Sequence, residues 1–294
     1  MKKIITLLIL TSFISCNKNN NKADGYGNFE ATEVTISAEA IGKIEYLKLE
    51  EGDILEPKTQ VGLIDTTQLY FNKQQLIASK STVFSKSANV LSQTKVLQEQ
   101  LKTAQIEKKR IQNMFAENAA TKRQVDEIDG KVNVILEQIK SVETQNAPIV
   151  NEVKSIDVQI EKINDQILKS KIINPIKGTV LTKYAETNEV TAFGKPIYKI
   201  ADISEMTLRV YISETQLSEI KVGQQVSIKI DAQKEMKAFP GKISWIASSA
   251  EFTPKIIQTK EERVNLVYAV KVNVKNDGSL KIGMPAEMWI TPNP

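Results

Sequence analysis

One thiol and no imidazole set the chemical limits of this chain of 294 residues: Cys16 is its single cysteine, and histidine is absent. A thiol can close a disulfide, hold a metal or act as a nucleophile. The first needs a second cysteine, the second further soft or imidazole ligands, and the third is most often served by a histidine base. The chain supplies none of these, nor a glycine-rich phosphate loop, nor a carboxylate pair in a pocket-like context. No catalytic, cofactor-binding or metal-binding residue is therefore assigned, no cofactor is expected, and the chain is read as not an enzyme. Cys16 instead follows a basic Lys2-Lys3 pair, an apolar run from Ile4 to Leu10, and Phe13-Ile14-Ser15. That is the order of a targeting segment with a cleavage-like end. The run is too short for a comfortable membrane span, which takes about 20 residues.

A second constellation is Arg110, Met114 and Thr121, at spacings of four and seven, followed by Val125, Asp126 and Asp129. A guanidinium, a thioether and a hydroxyl at these spacings suit contact rather than covalent chemistry. On spacing alone Arg110 is equally a solvated helix charge and Met114 ordinary seam packing. The elements around them are plain. Leu69, Leu76, Val83, Val90, Leu97, Ala104 and Ile111 recur every seven residues, with Ile77, Phe84 and Leu91 widening the stripe. On the return, Ile128, Ile135, Val142, Ile149, Ile156 and Ile163 hold one heptad position. Val132, Ile139, Val153, Ile160 and Ile167 hold another, broken only at Asn146. Such rows predict a two-armed coiled coil. Glu117-Asn118 is expected to end the first arm, and Thr121 with Gln124 reads as a capping box opening the second. Pro148 is expected to kink the return arm without ending it.

This hairpin interrupts a small β motif. Residues 38–65 carry Gly42, Glu51-Gly52-Asp53 and a closing Leu63-Ile64-Asp65. Residues 174–202 replay that order with Gly178, Asn188-Glu189, Gly194 and Lys199-Ile200-Ala201-Asp202. Gly42 and Gly178 read as turn or close-approach positions, and Asn188 suggests that the second turn differs in shape from the first. Beyond Asp202, period-two strands run through Leu208, Val210 and Ile212, through Val226, Ile228 and Ile230, and through Val270, Val272 and Val274. Ser213 to Leu217 reads as a short capped helix. Phe252 and Met284 read as barrel core, Pro254 and Gly283 as strand punctuation, and residues 260–263 as a solvated loop. The net charge of +4 is spread along the chain without a basic, aromatic-interleaved stretch, so nucleic acid is not an expected partner.

Four resemblances gather on these residues. The first sixteen resemble a bacterial lipoprotein signal, with Phe13 in place of the usual leucine, which implies lipidation of Cys16. Asn17 is not the aspartate that favours inner-membrane retention in some bacteria. The two β halves resemble a biotinyl-lipoyl domain; the turn that carries the modified lysine in carriers is here replaced by the hairpin, so a swinging-arm role is not expected. Arg110, Met114 and Thr121 resemble the Arg-x3-Leu-x6-Ser tip motif of bacterial membrane fusion proteins, with Met for Leu and Thr for Ser, which implies that these three dock the hairpin tip to the outer-membrane channel. Residues 250–255, 258–263 and 280–286 resemble HlyD-type adaptors of the branch that serves ABC transporters.

The fold class implied is α+β and elongated: a coiled-coil hairpin inserted in a split lipoyl-like β domain, followed by a small β-barrel. The divisions are 1–15 signal peptide, 16–28 flexible linker, 29–66 and 172–202 split domain, 67–171 hairpin, and 203–294 barrel. The resemblance implies a lipid-anchored periplasmic adaptor, on the inner membrane by preference, with an ABC permease and ATPase and a TolC-like outer-membrane channel as partners and a ring, expected to be a hexamer, as its assembly. The chain stops a few residues after the last barrel strand, which points to a simple adaptor. An adaptor for a resistance-nodulation or major-facilitator pump, or a coiled-coil envelope spacer, are the alternatives.

Overall fold

The computed structural model describes residues 22–232, 235–252 and 266–290. The targeting segment, Cys16, Pro254 and residues 258–263 lie outside them. The chain enters strand β1 (Gly25–Glu30), whose partners lie beyond residue 200, and then the first glycine-punctuated segment. That segment supplies β2 (Glu33–Ser37), β3 (Gly42–Leu47), β4 (Ile54–Leu55) and β5 (Gln60–Ile64); the second supplies β6 (Lys171–Ile173), β7 (Gly178–Lys183), β8 (Val190–Thr191) and β9 (Pro196–Ala201). One sheet runs β2-β9-β7-β4 and the other β6-β5-β3-β8. Each sheet thus takes its central pair from one segment and its edges from the other. Neither segment can bury its apolar face alone, and Ile44, Ile64, Ile197 and Ile200 are fully buried between them.

The pairing repeats at a constant offset along the chain. Ile44 N–H donates to Glu189 O and Asn188 N–H to Ile44 O, both at 2.8 Å. Correspondingly, Gly52 N–H donates to Val180 O and Val180 N–H to Asp53 O, both at 2.9 Å. Gly52 has φ +97° and Asn188 φ +75°. The second turn therefore does not differ in kind: asparagine takes the left-handed position that glycine takes in the first, as its short polar side chain permits. Gly178 is a close-approach position, since a Cβ there would lie 2.6 Å from the Ala201 carbonyl oxygen.

A polar cluster ties the halves together. Asn174 is fully buried. Its Nδ2 donates to the carbonyls of Glu56 (2.9 Å) and Ile176 (2.5 Å), and its Oδ1 accepts from the Tyr198 hydroxyl at 3.1 Å. Its backbone N–H donates to Thr59 O at 2.8 Å, and its carbonyl accepts from Lys58 N–H at 2.7 Å. Burial pushes the Tyr198 phenol up to about 12, so it stays a neutral donor. Nearby, Lys183, nearly enclosed, reaches Glu50 at 2.9 Å and Glu186 at 2.8 Å.

The hairpin leaves β5 directly. Asp65 Oδ1 accepts from Thr67 N–H at 2.8 Å and opens α1 (Thr67–Ala116). At 50 residues this helix is about 75 Å long. The return is α2 (Lys122–Thr144) and α3 (Asn146–Lys169), divided at the single residue Gln145, which keeps helical dihedrals. Pro148 sits in the first turn of α3, where a missing N–H costs little. The result is the expected bend, placed three residues earlier than the proline.

Both heptad rows of the return arm face α1, and Val83, Val90 and Ala104 face back. Ile77, Phe84 and Leu91 do not widen that seam: they are exposed, and with Tyr70 they form a separate outward stripe. One residue past a seam position is a rotation of about 100°. The second seam row of α1 is instead largely polar, through Lys80, Ser87, Thr94, Leu101 and Lys108. It is matched in kind: Ser87 donates to Asn146 Oδ1 at 2.7 Å, Lys80 pairs with Asp157 at 2.6 Å, and Lys108 with Asp129 at 2.9 Å.

The remaining strands are β10 (Glu205–Ser213), β11 (Gln225–Ala232), β12 (Glu235–Ile246), β13 (Glu251–Phe252), β14 (Leu266–Lys275) and β15 (Pro285–Trp289), with a short α4 (Glu214–Leu217). They close a barrel in the order β10-β1-β15-β11-β12-β14 and back to β10, β13 extending it at β14. The linker and domain boundaries expected near the N-terminus are corrected here. Residues 25–28 are not linker, and Phe29 and Glu30 do not belong to the split domain. All six form β1, in register with β10 (Tyr26↔Tyr211) and β15 (Gly27↔Ala286). Phe29 is buried in the barrel core with Met206, Leu208 and Met288. Gly27 explains the fit, because a Cβ there would lie 1.8 Å from the Arg209 carbonyl oxygen. Met284 packs against the core as expected; Phe252 is exposed rather than buried.

The Asn174 cluster has a measurable consequence. Asn174→Ala leaves two part-buried carbonyls and a buried phenol without partners and is expected to cost about 1–3 kcal/mol, whereas Tyr198→Phe costs about 1 kcal/mol. Urea denaturation of the full chain reads both, with the asparagine variant the weaker.

Candidate functional site

The arms meet in a turn built almost wholly from backbone geometry. Asn118 has φ +60°. Its N–H donates to Phe115 O at 3.0 Å, while Ala119 N–H donates to Met114 O at 2.7 Å. That bond pair is the Schellman closure of a helix. Three residues on, Thr121 caps α2. Gln124 N–H donates to Thr121 Oγ1 at 3.3 Å, and Gln124 Oε1 accepts from Thr121 N–H at 2.8 Å and from its hydroxyl at 3.0 Å. The capping box expected from sequence is present. Val125 and Ile128 are buried behind it, against α1.

The sequence-predicted tip residues divide by what their side chains already do. Arg110 lies on α1 with its side chain 69% exposed and its guanidinium held by Glu107 at 2.7 Å. Met114 stands one turn further on and is exposed. Thr121 is across the turn, with its hydroxyl engaged in the cap. Asp126 pairs with Lys122 at 2.8 Å, and Asp129 with Lys108 of the opposite arm. The hydrogen bond that Lys122 donates to Asp126 raises the Lys122 pKa. Val125 is seam, not surface. Arg110, Met114 and Thr121 are thus all exposed at the tip, and Thr121 in addition shapes the turn that presents the other two.

Sequence reasoning passed over two further groups. Phe115, exposed beside Met114, stands one heptad past Lys108 in the second row of α1, where the return arm no longer covers it. A large apolar side chain in an otherwise polar row, at the end of the arm, is the signal that could have singled it out. Arg123, with its side chain 88% exposed, adds a second guanidinium after the cap. The tip therefore offers an apolar pair, Met114 and Phe115, flanked by two cations. Among the described residues no group of side chains is suited to hold a metal ion, and no helix is long and apolar enough to cross a membrane.

Comparison with known proteins fits this architecture. Residues 206–290 match the family described as YknX-like beta-barrel domain, a span that omits the strand β1 completing the barrel here. A curated relative, a UPF0194 membrane protein of Yersinia pseudotuberculosis, is 22% identical over 97% of both chains. Among solved structures, MacA from Actinobacillus actinomycetemcomitans superposes with a TM-score of 0.52 at 20% identity, covering 90% of this chain and 76% of that one. The membrane fusion protein Spr0693 from Streptococcus pneumoniae R6 does so with a TM-score of 0.50 at 16% identity, covering 92% of this chain and 98% of that one. The fold is the one these proteins share: an elongated α+β chain with an inserted helical hairpin and a β-barrel.

The cap separates structural from contact roles at the tip. Thr121→Ala is expected to destabilise the start of α2 by about 1 kcal/mol, and Thr121→Ser to restore most of it. Hydrogen exchange at residues 122–125 reads this directly, with faster exchange in the alanine variant only.

Proposed function

We propose that this chain is a periplasmic adaptor that joins an inner-membrane transporter to a TolC-like outer-membrane channel, and that it acts by assembly rather than catalysis. The observation that carries the reading is the tip. A helix of 50 residues ends in a Schellman turn and a capping box that hold Arg110 and Met114 outward. A rigid arm so closed delivers a small surface a long way from its base, which is a connector's geometry. The likeness to the membrane fusion protein Spr0693 supports it at the level of the fold.

Three finer assignments belong to the same proposal. The transporter is of the ABC type, with a resistance-nodulation or major-facilitator pump as the alternative; the 250–255 and 280–286 segments favour the former. Copies of the chain form a ring, a hexamer in the family pattern, with hairpins side by side. The outward stripe of Tyr70, Ile77, Phe84 and Leu91, seven residues apart, supports lateral association of the hairpins. Cys16 carries a lipid that keeps the chain at the inner membrane. The envelope-spacer reading needs the same hairpin but no docking chemistry, and the tip discriminates between the two.

Arg110→Asp is expected to abolish co-purification of the outer-membrane channel and the efflux it supports, while leaving the circular dichroism of the full chain unchanged. Undiminished efflux sinks the docking assignment. Cys16→Ala is expected to remove palmitate labelling of the mature protein; persistent labelling excludes Cys16 as the lipid site. Crosslinked pull-down from membranes decides the pump class, an ATPase and permease pair being the expected catch.

A further inference from the structure

The point at which the chain enters the barrel is fixed. Asp24 N–H donates to Met288 O at 2.9 Å, its carboxylate accepts from Ile290 N–H at 2.6 Å, and its carbonyl accepts from Gln216 Nε2 at 2.7 Å. From there β1 runs away from this rim, reaching Glu30 at the rim that faces the split domain, since β2 begins at Glu33 and β9 hands over to β10 near Glu205. The register across the wall locates what else shares the entry rim. Tyr26 is level with Tyr211, and Tyr211 with Ala269. Three residues nearer the rim on β14 is Leu266, paired with Phe252 on β13. Phe252 and Leu266 therefore stand beyond the level of Gly25, at the rim where the chain arrives from the N-terminus.

These two are a cross-strand apolar pair between β13, the outermost strand, and β14, 77% and 53% exposed. They are not core, and among the described residues nothing packs over them. The chain between Cys16 and Asp24 spans eight residue steps, at most about 28 Å when fully extended. If Cys16 is acylated, that length keeps this rim within about 28 Å of the bilayer surface, nearer by the length of β1 than the rim beside the split domain.

We infer that Phe252 and Leu266 form a membrane-contacting edge, set shallowly into the lipid headgroup layer beside the anchor. The inference rests on the reading of Cys16 as the lipid site. An aromatic ring and a leucine on a polar rim are the composition of an interfacial contact. Glu251, next to Phe252, and Glu214, at the start of α4, are exposed on the same rim and keep the contact at the surface. Two points of attachment, a lipid on a short leash and an apolar edge, orient the barrel where a lipid alone would only tether it.

The test uses the purified full chain in vesicles of phosphatidylethanolamine and phosphatidylglycerol. Because Cys16 is the single cysteine, an acylated wild type takes up no maleimide. Phe252→Cys and Ile282→Cys each then accept one maleimide nitroxide, at the entry rim and at the turn beside the opposite rim, where Gly283 N–H donates to Phe29 O. The expected result is that the label at 252 collides more with oxygen than with a nickel chelate, and that the order reverses at 282. If wild type takes up maleimide, the anchor reading falls and this inference with it. If wild type is blocked and the label at 252 is water-exposed, the anchor stands and the edge is refuted. Shielding at 252 that requires native membranes, and is lost in pure lipid, likewise overturns the lipid contact in favour of a protein partner.

Discussion

Everything in this molecule depends on one closure, the pairing of two β segments that the hairpin holds more than a hundred residues apart in sequence. Because each sheet takes its edges from the other segment, the domain forms only when both ends of the hairpin come home. Hydrophobic burial supplies most of the drive, but it is indifferent to register. Asn174 is not. Its side chain and backbone together engage Glu56, Lys58, Thr59, Ile176 and Tyr198, reaching both segments from one buried residue. A one-residue slip would bury several of these groups unpaired, at a cost comparable with a large part of a domain's stability. At the position equivalent to Asn174, the first segment has Ala38, with the same backbone bonding: Ala38 N–H donates to Lys195 O, and Gly194 N–H to Ala38 O. The polar clasp is thus installed once, on the side where β6 brings the chain back from the hairpin.

The hairpin repeats that division between drive and register. One row of α1 is apolar and supplies burial; the other is largely polar and supplies pairing. Ser87 with Asn146 is the clearest case, because Asn146 is also the break in the second row of the return arm and follows the bend at Gln145. A polar pair at a seam position costs stability relative to leucine but admits fewer alternative alignments. The flanking ion pairs Lys80–Asp157 and Lys108–Asp129 are half-exposed, so they add little energy and mainly disfavour wrong registers. The same choice leaves the apolar Tyr70, Ile77, Phe84 and Leu91 free to face outward.

Those two rows also mark the limit of what sequence could say. The seam of the return arm is legible because Ile128 through Ile167 keep strict spacing, whereas its division at Gln145 is not. In the first arm Ile77, Phe84 and Leu91 resemble seam neighbours by hydrophobicity but not by geometry; the seam neighbours are Ser87, Thr94, Leu101 and two lysines. The turn chemistry at Asn118 and Thr121 was readable, since helix caps are local events. Asn188 was underread because asparagine reaches the left-handed region nearly as well as glycine in such a turn. The strand at Gly25–Glu30 was missed for a different reason. Six residues with two glycines carry weak local propensity, and what makes them a strand is a slot between β10 and β15 supplied from beyond residue 200.

That slot alters how force passes through the chain. Strand β1 is not an edge: it is bonded on both sides, to β10 along Tyr26–Glu30 and to β15 along Gly25–Asn28. A pull on residues N-terminal to Asp24 is directed along the strand, so it loads many backbone hydrogen bonds in parallel rather than peeling them singly. Gly27 lets the strand lie against β10 closely enough for those bonds to form. From Glu30 the chain passes within three residues to β2, whose register with β9 continues the load into the split domain. An end otherwise read as a slack leash is therefore the first strand of a closed barrel, and tension applied there reaches the base of the hairpin through two sheets in series.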